Sequence, residues 1–437
     1  MQGSSVAEFT GQCVSTITHR GTRPRSRPAS ALAVILLGLA TGLGSSVQAQ
    51  TFTVLYSFAG YPTDGAGPEA GLLMDASGNL YGTTKFGGSV NLSYCGNSGY
   101  SGCGTVFELS SSGAETVLQN FDGTVGANPT SNLIMDASGG LYGTTEFGGE
   151  GDCYIDGTLV GCGVVFKIVD GEEDVLYQFA GGADGANPLG GLVMDSNGNL
   201  YGTAQFGGYV GGCDCGVVFE VAGQSETVLH NFSGNRDGAF PYAGLIMDAE
   251  GAFYGTTNAG GSSDPNCAPD GCGVVFKLVG RKETLLHRFK GSPDGAYPYA
   301  ALSMDANGNL YGTTADGGNG ENSGTVFEVN RYGSERVLYT FQLPLGHPGF
   351  RPQSSVILDN QGNLYGTALE GGLFNAGILF EISRNGGVHV LHNFCSLQNC
   401  ADGSYPNDLV MDAKGYIYGT TFGGGANSAG TVFMIIP

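Results

Sequence analysis

The side chains best suited to acid–base chemistry in this chain are carboxylates in Gly-rich loops. Two such groups across a cleft could serve a glycosidase, one as acid and the other as base or nucleophile. The candidates lie on different loops whose distances from one another the sequence does not give, so it predicts the type of chemistry but no particular pair. The candidates are Glu146, Glu150, Asp152, Asp156, Asp264, Asp270, Asp316, Glu321 and Glu370.

The histidines and the search for nucleophile motifs give little support for catalysis. His230, His287 and His392 recur at one position of a repeat where other copies have Tyr or Gln, which favours a structural role over a metal-ligand role. His347 and His389 have no nucleophile in a motif beside them, and GxSxG, HExxH and phosphate-loop patterns are missing from any supporting context. The sequence therefore predicts no cofactor and no metal, and it favours a non-catalytic protein.

Aromatic residues offer a second chemistry, stacking on sugars or peptides. The segments that join successive repeats usually read DGAxP, and x is Gly67, Asn128 and Asn187 in the first three copies. In the last four copies we assign aromatic residues to x and predict a ligand-binding arc on one face of the fold. The alternative is that these side chains pack on neighbouring loops. The four residues are Phe240, Tyr297, Phe350 and Tyr405.

A repeat must position all of these groups. The stretch at 71–84, GLLMDASGNLYGTT, occurs seven times, with copies of its Tyr 53 to 61 residues apart. Each copy continues with GTVFE-like and ETVLxxF-like runs, so one repeat contains four strand signals and no helical periodicity. Repetition at this period is typical of a solenoid or a propeller.

The two ends of the chain distinguish these folds. The last repeat stops after its third strand at Pro437, and an unpaired fourth-strand run, TFTVLYSF, stands at 51–58. A closed ring uses this strand to complete the last blade, whereas an open solenoid needs no such exchange. We predict an all-β fold, a single seven-bladed β-propeller of four-stranded blades at 50–437.

Short turns follow the first strand of every repeat. An Asp precedes each turn and can accept hydrogen bonds from its backbone amides, which we favour over a ring of cation ligands. These residues are Asp75, Asp136, Asp195, Asp248, Asp305, Asp359 and Asp412.

Ten cysteines fall into five close pairs, which favours disulfides; zinc is the alternative. Four pairs lie in long loops between second and third strands, where we expect exposed staples. The separation of two residues makes the Cys213–Cys215 bridge an open question. The pairs are Cys95/Cys103, Cys153/Cys162, Cys213/Cys215, Cys267/Cys272 and Cys395/Cys400.

The N-terminal 49 residues combine arginines, an apolar run of about 13 residues and a small-residue end, which predicts a signal peptide cleaved after Ala49. An uncleaved anchor is the alternative. The formal net charge of −22 disfavours nucleic acid and anionic lipid as partners. We expect a secreted or periplasmic monomer with no membrane span after cleavage.

The xxMDxxGNLYGTTxxGG core and the two runs that follow it resemble the GloVer tandem repeat of exported bacterial proteins, over 54–436. The DxxGNLY string is more faintly similar to NHL-type and lactonase-like propellers. The resemblance implies a secreted or surface protein with no established activity. Together with the residues above, it favours a disulfide-stabilised, non-catalytic binding module for an extracellular glycan or protein. The alternative is an extracytoplasmic hydrolase or lyase acting on carbohydrate.

Overall fold

The chain divides by its internal contacts into two units, Met1–Gln48 and Ala49–Pro437. The computed structural model describes residues 50–89, 95, 100–209, 212–261, 267, 270–319, 322–342 and 349–437. The predicted signal peptide, and with it the cleavage site after Ala49, lies outside the described residues. His347, Asp264 and Glu321 also lie outside them.

Seven four-stranded antiparallel sheets form the blades of a propeller, which confirms the predicted fold. We number the blades 1 to 7 along the chain and name the strands inner, second, third and outer. The inner strands are Leu73–Met74, Ile134–Met135, Val193–Met194, Ile246–Met247, Ser303–Met304, Ile357–Leu358 and Ser404–Met411. The second strands are Leu80–Thr84, Leu141–Thr145, Leu200–Ala204, Phe253–Thr257, Leu310–Thr314, Leu364–Ala368 and Ile417–Gly423.

The third and outer strands complete each blade. The third strands are Thr105–Leu109, Val164–Val169, Val217–Ala222, Val274–Val279, Thr325–Val329, Ile378–Ile382 and Thr431–Ile436. The outer strands are Glu115–Asn120, Glu172–Gln178, Ser225–Asn231, Lys282–Arg288, Glu335–Thr340, Val388–Asn393 and, for blade 7, Thr51–Ser57. Short loop strands are Gly65–Ala66, Phe86–Gly87, Tyr154–Ile155, Thr158–Leu159, Gly295–Ala296 and Asp316–Gly317, and a 3-10 turn covers Gln398–Cys400. Within the described ranges no helix is long and apolar enough to cross a membrane.

The N-terminal strand closes the ring. Thr51–Ser57 pairs antiparallel with Thr431–Ile436, and the backbone N–H of Phe58 donates to the carbonyl of Gly430 at 3.0 Å. The ring of Phe58 is fully buried. The exchange of strands between the two ends of the chain is therefore a finding of the structure, as predicted from the incomplete last repeat.

The YGT motif of the second strand does three jobs. Its Tyr binds the turn of its own blade, because Tyr81 Oη donates to Asp75 Oδ2 at 3.3 Å while Asp75 Oδ1 accepts the backbone N–H groups of Ser77 and Asn79, each at 2.8 Å. Its Gly leaves room for a third-strand ring: a Cβ on Gly82 would lie 2.7 Å from Phe107 Cζ. The turn role predicted for the seven aspartates is what the structure shows.

The Thr after that Gly links adjacent blades. Its hydroxyl donates to a carbonyl of the next linker in every blade, as from Thr203 to Ala243 at 2.8 Å. Thr420 of blade 7 donates to Ala70 at the start of blade 1, also at 2.8 Å, which is a second contact that closes the ring. Since all three roles recur in each blade, the YGT motif is explained by its contribution to turn formation, blade packing and contacts between blades.

Disulfides join all five cysteine pairs, including Cys213 with Cys215. The expectation of exposed staples is wrong for four of them. Cys103, Cys162, Cys215 and Cys272 are at most 1% exposed and pack in the hydrophobic clusters between blades. They are buried because each lies two residues before a third strand, where the next linker donates a backbone hydrogen bond to its carbonyl.

Candidate ligand-binding site at the channel mouth

One backbone hydrogen bond fixes each linker between blades. The N–H of the residue before the linker Pro donates to the preceding blade, as from Tyr297 to the carbonyl of Cys272 at 2.9 Å and from Tyr405 to that of Ala376 at 2.8 Å. We call the seven residues in this position the mouth residues. They all have a positive φ between 54° and 58°, and they are Gly67, Asn128, Asn187, Phe240, Tyr297, Arg351 and Tyr405.

The sequence assignment of Phe350 to this set is wrong by one position. Arg351 has the positive φ of 55°, precedes Pro352 and donates its N–H to Ser323 at 2.9 Å. Phe350 instead pairs with Glu370, as Ala239 pairs with Ala259 in blade 4. The linker before blade 6 lacks the DGA letters, so an aromatic residue was aligned where the backbone places an arginine.

The mouth residues of blades 1 to 3 differ from those of blades 4 to 7. Gly and Asn adopt positive φ readily, whereas bulky residues there carry a strain of about 1 kcal/mol each. Blades 4 to 7 nevertheless hold Phe240, Tyr297, Arg351 and Tyr405 in this conformation. Side chains kept in strained positions are concentrated at functional sites.

A cavity of about 830 Å³ occupies the centre of the ring at this face. Of the predicted aromatic arc, Tyr405 lies on its wall and is 42% exposed. The other three are half-buried against core clusters: Phe240 meets Phe206 with ring centroids 5.8 Å apart, and Tyr297 and Phe350 pack beside blades 5 and 6. The alternative that these side chains pack on their surroundings therefore fits Phe240, Tyr297 and Phe350, while Tyr405 remains open to the cavity.

Two tyrosines that the sequence analysis did not single out line the cavity. Tyr242 and Tyr299 each follow a linker Pro, and their rings meet edge to face with centroids 5.0 Å apart. Burial raises the pKa of Tyr242 to about 12, with a further contribution from Tyr299 and Glu146. The PY pair in two successive linkers is the sequence signal that could have identified them.

A second aromatic group lies where blade 7 meets blade 1. Phe422 lines the cavity, and the ring of Tyr100 packs edge to face with it at 5.5 Å and stacks on Phe86, also at 5.5 Å. The Tyr100 hydroxyl donates to the carbonyl of Ser428 at 2.8 Å. Aromatic surface therefore reaches the mouth from two sides, beside Tyr299 and beside Tyr405.

Lys85 sits between two carboxylates from blades 1 and 2. Its Nζ lies 3.2 Å from Glu69 Oε2 and 3.2 Å from Glu146 Oε2. Burial alone would lower the pKa of Lys85, but Glu146 and Glu69 outweigh it and raise the pKa. Lys85 stays protonated and paired, which makes it a poor general base.

Two more candidate carboxylates lie near an arginine. Arg351 Nη1 is 3.6 Å from Glu370 Oε1, and burial raises the pKa of Asp316 while Arg351 opposes part of the rise. Arg351 thus brings two predicted acid–base residues of neighbouring blades, Asp316 and Glu370, to a shared partner. Glu150, Asp152, Asp156 and Asp270 are exposed on loops instead.

Asp408 on the cavity wall makes polar contacts with two other blades. Asp408 Oδ1 accepts the N–H of Ser355 at 2.7 Å, and Asn132 Nδ2 donates to Asp408 Oδ2 at 3.2 Å. Asp408 therefore connects blade 7 to blades 6 and 2. The buried hydroxyl of Thr130, on the same cavity wall, has no hydrogen-bond partner among the described residues.

Comparison with protein families gives one match. The family described as the Gloeobacter/Verrucomicrobia repeat matches residues 153–360 and 214–433, which together cover more than half of the chain. No curated protein matches the sequence.

Solved structures share the fold at low identity. The extracellular domain of a protein assigned as a hybrid two-component system from B. thetaiotaomicron has a TM-score of 0.53 at 10% identity, covering 88% of this chain and 39% of that one. This chain thus spans about two fifths of the length of that extracellular-domain chain. Oligogalacturonate lyase from Vibrio parahaemolyticus has a TM-score of 0.51 at 10% identity, covering 89% and 94%. A gluconolactonase from Xanthomonas campestris matches 62% of the chain at 16% identity with a TM-score of 0.35.

Proposed function

The chain belongs to the Gloeobacter/Verrucomicrobia repeat family, and we propose that its propeller is a non-catalytic, extracytoplasmic binding module. Its ligand enters the channel mouth between Tyr405, Tyr299 and Tyr242. The observation that carries the proposal is the strained backbone at Tyr405, whose side chain stays open to the cavity although Asn satisfies the same backbone in blades 2 and 3. Five disulfides and an exported-protein repeat suggest an oxidising compartment outside the cytoplasm.

The chemistry of the mouth suits a glycan. Tyrosine rings stack on the apolar faces of sugars and their hydroxyl groups bind sugar hydroxyls. The Thr130 hydroxyl, which has no hydrogen-bond partner in the part of the chain that the structure describes, adds a polar group on the same wall. A cavity of about 830 Å³ is large enough for a short oligosaccharide.

The charge of the mouth selects among glycans. Carboxylates outnumber cations there, and both cations, Lys85 and Arg351, are already paired with carboxylates. An acidic sugar would meet repulsion, so we expect a neutral or amino-bearing glycan. The charged residues around the mouth are Glu69, Lys85, Glu146, Asp316, Arg351, Glu370 and Asp408.

A carbohydrate-active hydrolase is the second candidate. Asp316, with its raised pKa, could act as the acid, and Glu370 on the other side of Arg351 could act as the second carboxylate. The likeness to oligogalacturonate lyase is one of fold, so it leaves the choice to experiment.

A glycan array tests both candidates. The purified protein is applied to neutral, amino-bearing and uronate glycans, and released reducing ends are measured in the same wells. Tyr405→Ala and Tyr299→Ala test the mouth, and Tyr332→Ala is the matched control because Tyr332 is 80% exposed on a distant turn of blade 5. We expect retention of neutral or amino-bearing glycans that only the mouth variants lose.

Other outcomes contradict the proposal in distinct ways. Release of reducing ends that Asp316→Asn or Glu370→Gln abolishes would make the protein a hydrolase. Retention of uronates alone would contradict the charge argument. Binding that survives both mouth variants would remove the channel mouth as the site.

A further inference from the structure

The junctions between blades carry a second set of polar residues, on the outer strands and away from the channel mouth. A residue near the end of one outer strand meets the Asp of the following linker and a Glu near the start of the next outer strand. Between blades 7 and 1 these are Tyr56, Asp64 and Glu115, with Tyr56 Oη 2.9 Å from Asp64 Oδ2 and 3.5 Å from Glu115 Oε2. We call such a set a junction triplet and number it by its two blades.

These triplets place two carboxylates close together with few hydrogen bonds to offset their burial and mutual repulsion. Burial raises the pKa of Glu115 and of Glu226 to about 7, and the neighbouring Asp adds to each rise. One carboxylate oxygen of the Glu is buried and has no hydrogen-bond partner among the described residues in five triplets. Those atoms are Glu115 Oε1, Glu173 Oε1, Glu226 Oε1, Glu283 Oε1 and Glu335 Oε1. A cation bound at such a triplet would offset the repulsion between the two carboxylates and contact the unbonded Glu oxygen.

Triplet 4/5 differs because His287 replaces the Tyr. Its Nε2 lies 3.1 Å from Asp294 Oδ2, and one ligand atom each from His287, Asp294 and Glu335 lie within 4.8 Å of one another. Zinc bound at about 2.0 Å by tetrahedral ligands needs them roughly 3.3 Å apart, so small side-chain movements complete the site. All three residues are partly buried.

The surroundings already orient two of the three ligands. The other oxygen of Asp294, Oδ1, accepts the N–H of Gly295 at 2.8 Å. The His287 ring meets Phe289 edge to face, with centroids 4.8 Å apart. Contacts of this kind fix ligand orientation in metal sites.

We propose that triplet 4/5 binds one divalent transition-metal ion of the zinc class through His287 Nε2, Asp294 Oδ2 and Glu335 Oε1, with water completing the coordination. The imidazole nitrogen disfavours calcium and magnesium, which prefer oxygen ligands alone. The ion would neutralise the two carboxylates and tie blade 4 to blade 5. Tyr stands at the position of His287 in other triplets that also contain an Asp and a Glu, so the site depends on the imidazole together with Asp294 and Glu335.

The other triplets supply controls. At 6/7, His392 Nε2 lies 3.0 Å from Asp402 Oδ2, but Phe52 stands in place of the Glu and stacks on the imidazole at 3.8 Å. That triplet lacks the third ligand and should bind no zinc. At 3/4, His230 Nε2 lies 3.6 Å from Asp237 Oδ2, and Ser233 binds the Asp, so the ligands are less well gathered.

Zinc titration of the purified, chelator-stripped protein tests the site. We expect one Zn²⁺ per chain by isothermal titration and by elemental analysis after dialysis, with a rise in Tm on zinc addition. His287→Tyr introduces the residue that triplets 7/1 and 2/3 have at this position, Tyr56 and Tyr177, so the variant should fold with an unchanged metal-free Tm. It should bind zinc at least tenfold more weakly and show no rise in Tm when zinc is added. Glu335→Gln should also weaken binding, and His392→Tyr should bind zinc as the unaltered protein does.

Three results would overturn the assignment. They are no zinc retained by the unaltered protein, zinc binding that His287→Tyr leaves intact, and binding that His230→Tyr abolishes while His287→Tyr does not. Cobalt substitution gives an independent readout, since visible absorption bands of a low-symmetry site should appear with the unaltered protein and be absent with His287→Tyr.

Discussion

The second strands and the mouth residues belong to the same repeat, but their residue types vary to different degrees: the second strands keep the same key residues in every blade, and the mouth residues change from blade to blade. Every second strand has a Tyr that binds its turn, a Gly that admits a Phe ring and a Thr that binds the next blade. The mouth residues share one backbone conformation but run from Gly through Asn to Phe, Tyr and Arg. What repeats is what the fold needs, and what varies on a fixed backbone is available for recognition.

Breaking the ring should have the largest effect. Deletion of residues 51–58 removes the strand that completes blade 7 and the buried ring of Phe58. We expect it to lower the free energy of unfolding by more than the roughly 4 kcal/mol that a buried Phe alone contributes. Denaturant unfolding measures this loss, with Phe58→Ala as the partial version. An unchanged midpoint on deletion would contradict closure by this strand.

Altering one repeated glycine should have the next largest effect. A Cβ on Gly202 would lie 2.6 Å from Phe219 Cζ, so Gly202→Ala should destabilise the protein by about 2 kcal/mol through overpacking. Gly387→Ala is the control, because its Cβ would meet side-chain atoms at 3.4 Å or more and should cost under about 0.5 kcal/mol. Equal midpoints for the two variants would refute the packing role of the YGT glycine.

The buried junction carboxylates predict how stability depends on pH. Burial raises the pKa of Glu173 to about 7 from its ordinary value of 4.5, so the stability linked to its protonation is full below pH 4.5 and is lost as pH rises through 7. Asp75 in its turn acts oppositely: although burial raises its pKa, hydrogen bonds from Asn79 and Ser77 lower it overall, so its contribution is full above pH 3.8 and is lost as pH falls below that value. We expect the highest Tm at about pH 4 to 5 in metal-free buffer.

A neighbouring pair of residues isolates this effect. Glu173→Gln should raise stability at pH 8 by about 1 kcal/mol and flatten the decline of Tm between pH 5 and 8. Glu172→Gln removes the adjacent exposed carboxylate and should leave the decline as it is. If both variants have the same pH profile, burial at the junction does not set the pKa.

The sequence was sufficient for the part of the molecule that repeats. Seven copies of one motif predicted seven blades, and the unpaired run at 51–58 predicted the closure, because a missing strand and a spare strand can only be reconciled by pairing. The roles of the seven turn aspartates followed from their position before short Gly-containing turns.

The candidate site was only partly predictable. Arg351 was missed because its linker lacks the DGA letters, and only its positive φ and its bond to Ser323 set the register. Tyr242 and Tyr299 were missed because the sequence does not show that residues after the linker Pro turn toward the channel. The junction triplets join residues about 50 apart in the chain, a proximity that the repeat alone does not give.

The most direct test of the central claim replaces mouth residues by the Asn that blades 2 and 3 already use. In those blades Asn128 Nδ2 donates to the carbonyl of Lys85 at 2.8 Å and Asn187 Nδ2 to that of Glu146 at 3.0 Å, so Asn satisfies this backbone. The double variant Arg351→Asn, Tyr405→Asn, which leaves the packed Tyr297 in place, is compared with the unaltered protein for Tm and for glycan retention. We predict a Tm that is equal or higher, because strain is relieved, together with loss of glycan retention. A lower Tm with retention preserved would show that these side chains serve the fold and would contradict the account.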